Sequence, residues 1–283
     1  MPLRTLELET SWGPLTVSGG SRAGESTLVV LPQLRLALDP GRPHRALPPM
    51  GTVFLSHGHL DHLGALAYWA SQRFLNAMGP GTLIAPRELA GDLEALLELH
   101  ARLEGGRPYG VEIRPVSEDE ELTLRRDMTL SFFRTDHWVP ALGLRIDWLH
   151  RHLRPDLAGL DGEAIRRRRE AGEEVSVTDR IPLLSYCADT GPALFRERPE
   201  LLAAEVLLLE CTFFRPSDRD RAARYGHMHM DDLLELVPRL GCRHLVLLHA
   251  SRRHRLREVE RFIDGRIRST VPAAVHHLIV DWE

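Results

Sequence analysis

The chain has 283 residues, 43% of them hydrophobic and 27% charged, ordinary values for a globular protein with room for a large core. A formal net charge of -4 and a pI of about 6.4 exclude a general electrostatic grip on nucleic acid, so any basic surface must be local. No apolar run approaches the roughly 20 residues of a membrane span, and Met1-Pro2-Leu3-Arg4 lacks the apolar core of a secretory signal; the expected compartment is the cytoplasm. Cys187, Cys211 and Cys242 are scattered beside apolar segments, as free thiols in a reducing compartment would be. All 36 basic side chains are arginine, whose planar fork suits phosphate.

In chain order, Thr27 to Leu31 and Leu34 to Leu38 read as adjacent strands, ended by Asp39-Pro40-Gly41. Val53 to Leu55 is a strand, His62 to Met78 a helix, Leu83 to Ala85 a strand and Glu88 to Leu103 a helix. Strands then dominate, at Val111 to Arg114, Leu122 to Leu124, Thr129 to Arg134 and Leu142 to Trp148. After an arginine-rich stretch come strands at Leu183 to Cys187, Val206 to Glu210 and Leu245 to Leu248, with helices at Asp231 to Leu240 and Arg255 to Asp264. An α+β fold of two mixed sheets packed together, with helices on the outer faces, accommodates this order.

His57-Gly58-His59-Leu60-Asp61-His62 stands out because it packs four potential metal ligands into six residues directly after an apolar strand. A strand feeding a tight turn can aim His57 and His59 at one ion and Asp61 and His62 at a second. Further polar residues end apolar strands: His137, a possible third nitrogen ligand; Asp189, placed to bridge two ions or simply to form a turn; Glu210; and His249. Asp39 is expected to anchor a ligand rather than to be one. Two cations about 3.5–4 Å apart hold a bridging hydroxide at neutral pH and neutralise an attacked phosphate. The histidine–carboxylate mix favours two zinc ions, with manganese or iron also open.

These residues resemble the metallo-β-lactamase superfamily and, within it, tRNase Z of the short plant type, over about Ser21 to Leu256. The likeness rests on the histidine cluster, on His137-Trp138-Val139-Pro140-Ala141-Leu142-Gly143, Glu210-Cys211-Thr212-Phe213, Gly226-His227-Met228-His229, and His249-Ala250-Ser251-Arg252-Arg253. Two positions depart from it: Leu144 stands where an aromatic residue is common, and Ala188 where many members carry glycine. The resemblance implies one αββα domain over residues 1–283, a homodimer, and cleavage of 3′-extended precursor tRNA. It implies that His57, His59 and His137 bind one metal, that Asp61, His62 and His249 bind the other, and that Asp189 bridges. Asp61 would orient or deprotonate the attacking hydroxide, His227 would protonate the leaving oxygen, and Glu210 would tune His227. Ser251 and Arg253 would contact phosphate. His229 stands open between a substrate contact, a place around the metals and a helix start.

Residues 150–178 fall where tRNase Z inserts an arm that grips tRNA. Arg166, Arg167, Arg168 and Arg169 either meet phosphates there or form a solvated helix face balanced by Glu163, Glu170, Glu173 and Glu174. Two other functions keep part of this reading. One is a hydrolase of a small phosphodiester, cyclic nucleotide or lactone; the other is a metal-stabilised scaffold without catalysis, in which Asp61→Asn would change no activity.

Overall fold

The structure, a computed structural model, describes residues 3–281. The first half of the chain builds one sheet. Its strands are β1 (Arg4–Thr10), β2 (Gly13–Arg22), β3 (Ser26–Leu31), β4 (Leu36–Leu38), β5 (Thr52–Phe54), β6 (Gly81–Pro86) and β7 (Val111–Val116), in that spatial order. Helices α1 (Leu60–Leu63), α2 (Leu66–Leu75) and α3 (Ala90–Leu103) belong to this half. The second half builds the other sheet from β8 (Glu121–Arg125), β9 (Met128–Arg134), β10 (Leu142–Leu153), β11 (Ser176–Tyr186), β12 (Val206–Glu210), β13 (His244–Leu248) and β14 (Ala274–His277), again in sequence order across the sheet. Its helices are α4 (Gly162–Glu170), α5 (Leu194–Glu197), α6 (Arg219–Tyr225), α7 (Met230–Leu236) and α8 (Leu256–Phe262). Each sheet is antiparallel through its first four strands and parallel through its last four. No helix among the described residues is long and apolar enough to cross a membrane.

The nearly continuous apolar runs follow from burial on both faces of each sheet. In β12, Val206 and Leu208 point into the core between the sheets, whereas Leu207 and Leu209 point to the outer layer with Leu233 of α7 and Val259 of α8. β13 repeats the pattern, with Val246 and Leu248 inward and Leu245 and Leu247 outward. On the other side, Val53 of β5 packs outward against Trp69 of α2 and Leu93 and Leu97 of α3, while Phe54 faces the inner core and stacks on Phe132. Three apolar layers therefore hold four layers of structure, the αββα sandwich that the alternating elements imply.

Several expected boundaries shift for local reasons. The helix expected from His62 to Met78 is two helices, because Ala65 N–H turns to the Pro40 carbonyl at 2.7 Å and breaks the ladder between α1 and α2. Pro32 and the left-handed Arg35 (φ 49°) reduce the expected Leu34–Leu38 strand to Leu36–Leu38. Pro238 turns the end of the expected 231–240 helix into a 3-10 turn at Val237–Arg239. The strands β1, β2 and β14 and helix α6 were not anticipated; β1 is alternating Leu and Glu, amphipathic rather than an apolar run. β10 and β11 also run far beyond their expected ends, pairing as far as Leu153 with Ser176. Residues 150–178 are thus the far end of this two-stranded ribbon, capped by α4, whose N-terminal Ala164 N–H is held by the Asp161 carboxylate at 2.8 Å.

Three residues without glycine's freedom sit in left-handed backbone at strand ends: Asp39 (φ 50°), Ala188 (φ 48°) and His249 (φ 61°). Ala188 has no polar side chain to compensate. Ala188→Gly should raise unfolding free energy by about 1 kcal/mol, the cost of placing a Cβ in this region less the extra freedom glycine brings to the unfolded chain. Urea denaturation reads this directly, and an unchanged or lower midpoint would contradict it.

Candidate metal centre

The carboxyl ends of the parallel strands in both sheets open toward one edge, and the loops leaving them carry the polar residues. Asp39 follows β4, His57 to His62 follow β5, Asp189 follows β11, Glu210 ends β12 and His249 follows β13; His137 lies in the turn between β9 and β10. The histidine loop is held close to its neighbours. A Cβ on Gly41 would lie 1.9 Å from the Asp61 carbonyl oxygen and 2.7 Å from the Thr27 nitrogen, so only glycine lets these segments meet.

The buried Asp39 carboxylate organises the loop. Oδ1 accepts the Ser56 N–H at 2.7 Å; Oδ2 accepts Ser56 Oγ at 2.7 Å, His62 Nδ1 at 2.7 Å and the Tyr186 hydroxyl at 2.5 Å. Donation from Nδ1 leaves His62 Nε2 free to face the cluster. Asp39 lies within reach of His57 and His62 as a potential ligand, but this set of donors gives it the orienting role expected for it.

Two ligand groups converge. The donor atoms of His57, His59, His137 and Asp189 all lie within 4.8 Å of one another, as do those of Asp61, His62 and His249. Asp189 touches both groups: its oxygens lie 3.8 Å from His57 Nε2, 3.5 Å from His62 Nε2 and 3.4 Å from His249 Nε2. His137 Nε2 is buried without a hydrogen-bond partner, a lone pair or proton that only an ion or solvent would satisfy. Asp61 Oδ2 accepts the Gly24 N–H at 2.7 Å and lies 3.4 Å from His249 Nε2.

The charges divide the same way. Burial, reinforced by neighbouring imidazoles, pushes His57 well below the usual histidine range; burial also lowers His59 and His137, despite Asp189, so all three favour the neutral form a ligand needs. Burial opposes a charge on His62 too, but Asp189 and Asp39 outweigh it and lift its pKa to about 10. Asp61 and Asp189 stay ionised against burial, chiefly through His249 and His62. This carboxylate-rich side therefore demands positive charge, which a divalent ion supplies while leaving each imidazole a free lone pair. The donors present fit hard-to-borderline divalent cations.

Beside the cluster, Glu210 is buried and fully occupied. It accepts the Thr190 N–H at 2.9 Å, His227 Nδ1 at 2.7 Å, the Met228 N–H at 3.3 Å and the Thr212 hydroxyl. Burial disfavours the His227 cation, yet Glu210 raises its pKa to about 9. His227, His59, Asp61, Asp189 and His249 line a cleft of about 420 Å³ with Trp138, Phe213, Arg221, Tyr225, Ser251, Arg252 and Arg253. Ser251 is buried and its hydroxyl accepts the Arg253 N–H at 3.3 Å. Among the described residues neither Arg221 nor Arg253 makes an ion pair, in contrast to Arg252, 4.0 Å from Glu25.

His229 is a correction to the substrate contact considered for it. It is wholly buried, Nδ1 caps α7 by accepting the Asp231 N–H at 3.1 Å, and Nε2 bonds the Arg215 carbonyl at 3.0 Å. No ring nitrogen is left for substrate. The arginines of α4 are exposed and outside the cleft lining: Arg166 pairs with Glu170 at 3.7 Å, Arg167 with Glu163, and Arg168 with Glu173 at 3.1 Å, whereas Arg169 has no ion pair among the described residues. Sequence reading did not single out Ser56, Tyr186, Arg221 or Tyr225. Ser56 adjoins the histidine cluster and was within reach of inspection; the others come into place only through the fold.

Comparison with known proteins identifies the family and the fold. The beta-lactamase superfamily domain profile matches residues 10–250. tRNase Z TRZ1 of Arabidopsis thaliana is 30% identical over 252 residues, covering 86% of this chain and 88% of that protein. Among solved structures, the metallo-beta-lactamase fold protein YhfI from Bacillus subtilis aligns with a TM-score of 0.62 at 16% identity, over 91% of this chain and 93% of that one. Human tRNase Z, short form, aligns at 0.57 and 15% identity, over 83% and 92%. The two structural likenesses concern the fold.

Asp39→Asn should weaken metal affinity about 10–100-fold, since it disturbs the bond that aims His62; competition with a chelator measures it, and unchanged affinity would remove Asp39 from this role. Metal removal has its own signature. His62 binds its proton more tightly folded (about 10) than at its ordinary 6.5, so that contribution to stability is complete below pH 6.5 and lost as the pH rises through 10. Chelator-treated protein should lose urea resistance across this window, and zinc-reloaded protein should not. Parallel pH profiles for the two forms would refute the exchange of proton for cation.

Proposed function

The chain belongs to the beta-lactamase superfamily and, within it, to the tRNase Z family, metal-dependent hydrolases, and on that premise we propose that it is an endoribonuclease that trims 3′-extended precursor tRNA. The observation that carries the reading is the meeting of two ligand groups at Asp189, on the floor of a cleft rimmed by Arg221 and Arg253.

His57, His59 and His137 would hold one zinc ion, Asp61, His62 and His249 the other, and Asp189 would be shared. When bound, such ions neutralise charge on the phosphate and acidify the attacking water. The protein's own groups supply the rest. Asp61, anchored by the Gly24 N–H, orients the water and accepts its proton. His227 donates Nδ1–H to Glu210 and so turns Nε2 to the cleft; with a pKa near 9 it is protonated at neutral pH and can give a proton to the departing 3′ oxygen. Glu210 cannot swing away, because three further donors hold it. Arg221 and Arg253 offer guanidinium groups that no protein carboxylate already occupies, and the Ser251 hydroxyl lies beside them.

The ribbon of residues 150–178 forms an arm toward the tRNA body in this reading. Exposed pairs such as Arg166–Glu170 are worth only about 0.3–0.5 kcal/mol, so phosphates can displace them. A homodimer belongs to the proposal on the family likeness alone. A cytoplasmic, reducing setting agrees with three buried free thiols.

The test is cleavage of a 3′-extended precursor tRNA beside a small nitrophenyl phosphodiester. His227→Ala should slow tRNA cleavage by about 10²–10⁴-fold with metal content unchanged. It should scarcely affect the nitrophenyl ester, whose leaving group departs without a proton. Rising salt should depress the tRNA reaction steeply and the ester reaction little. Turnover of the ester with the tRNA left intact would reject this substrate and favour a small phosphodiester.

A further inference from the structure

Trp138 is the largest side chain among the strongly exposed apolar residues, 70% exposed, and it stands next to the metal-facing His137. It is nevertheless braced. Its ring lies 5.1 Å from that of His59 and 6.0 Å from that of His137. The loop beneath it is pinned by Asp136, whose N–H donates to Thr190 Oγ1 at 3.0 Å, whose carbonyl accepts the Gly191 N–H at 2.8 Å, and whose carboxylate accepts the Ala193 N–H at 3.2 Å. An aromatic ring braced on histidines yet 70% exposed at the cleft buries too little apolar surface for packing to account for its placement. The same cleft carries Tyr225, 43% exposed, with the Arg221 guanidinium 5.9 Å from its ring centre, and the unpaired Arg253. Aromatic rings and arginines without carboxylate partners in one cleft match the bases and phosphates of a nucleic-acid strand.

We propose that Trp138 is a stacking platform for an unpaired nucleobase adjoining the scissile phosphate, so that the cleft selects a single-stranded RNA segment over a phosphodiester without a base. The inference rests on the endoribonuclease reading and adds to it the group that recognises the nucleotide. Pre-ordering by His59 and His137 means that little side-chain freedom is lost on binding. Sequence selectivity at this base should be slight, because every base presents a π-face.

The experiment compares two acceptor-stem minihelices with 3′ overhangs, one with ordinary nucleotides and one with abasic nucleotides flanking the cleavage point. Binding to the zinc-loaded protein is read by fluorescence anisotropy on RNA in which a methylene replaces the departing 3′ oxygen, so that it stays uncleaved, with metal content checked for each variant. Wild type should prefer the base-bearing RNA about 5- to 150-fold, the range of aromatic–base stacking. Trp138→Ala should abolish that preference, and Trp138→Phe, which keeps a π-face, should restore most of it. Equal binding of both RNAs by wild type, or a preference retained by Trp138→Ala, overturns the inference even where precursor tRNA is cut. Absence of both RNA binding and precursor cleavage overturns the endoribonuclease reading itself.

Discussion

One buried carboxylate, Asp39, couples the sandwich to its site. It leaves β4 in the first sheet and receives the Tyr186 hydroxyl from β11 in the second, across 147 residues of sequence, while Ser56 and His62 bind it from the histidine loop. Burying a charge is expensive unless it is fully hydrogen-bonded, and four donors meet that requirement here. The consequence is geometric: the packing of the two sheets sets the direction in which His62 Nε2 points. Tyr186 is held protonated in turn, since burial and Asp39 both push its pKa well above the usual range.

The edge where the site lies accepts local strain for the sake of this aim. Asp39, Ala188 and His249 each leave a strand through left-handed backbone. At Asp39 and His249 the left-handed residue itself faces the site, and at Ala188 it immediately precedes Asp189, so unusual backbone is kept where the ligand groups converge. A tolerant ribbon of loops would cost less and would hold the ligands less closely. The Gly41 contact with Asp61 follows the same logic, with close approach obtained by omitting a side chain.

Electrostatics is distributed unevenly for a chain with 36 arginines and 40 acids. On the surface many arginines are paired, as Arg198 is with Glu118, Asp119 and Glu200, or Arg215 with Glu258, while others such as Arg169 make no ion pair among the described residues. At the cleft Arg221 and Arg253 are left without carboxylates among the described residues. A weakly acidic net charge is therefore compatible with a local cationic rim, as the proposed RNA substrate requires.

By itself the sequence determined the layered fold and marked most of the polar residues that the structure brings together at the sheet edge. Runs such as Val206-Leu207-Leu208-Leu209 can be satisfied only by apolar layers on both faces, and polar residues placed at the ends of such runs must emerge at a sheet edge. His57 to His62 was legible because its members are neighbours in the chain. The rest depended on tertiary structure. Whether His229 faces substrate or caps α7 turns on the Arg215 carbonyl and the Asp231 N–H meeting its two ring nitrogens. Whether the arginines of α4 are free turns on glutamates one helical turn away, and Tyr186 becomes part of the site only because the second sheet lies over the first. Periodicity reports which face of an element is apolar, a local property of the chain. Which polar atoms meet is decided by packing between segments far apart in sequence, and no local pattern encodes that distance.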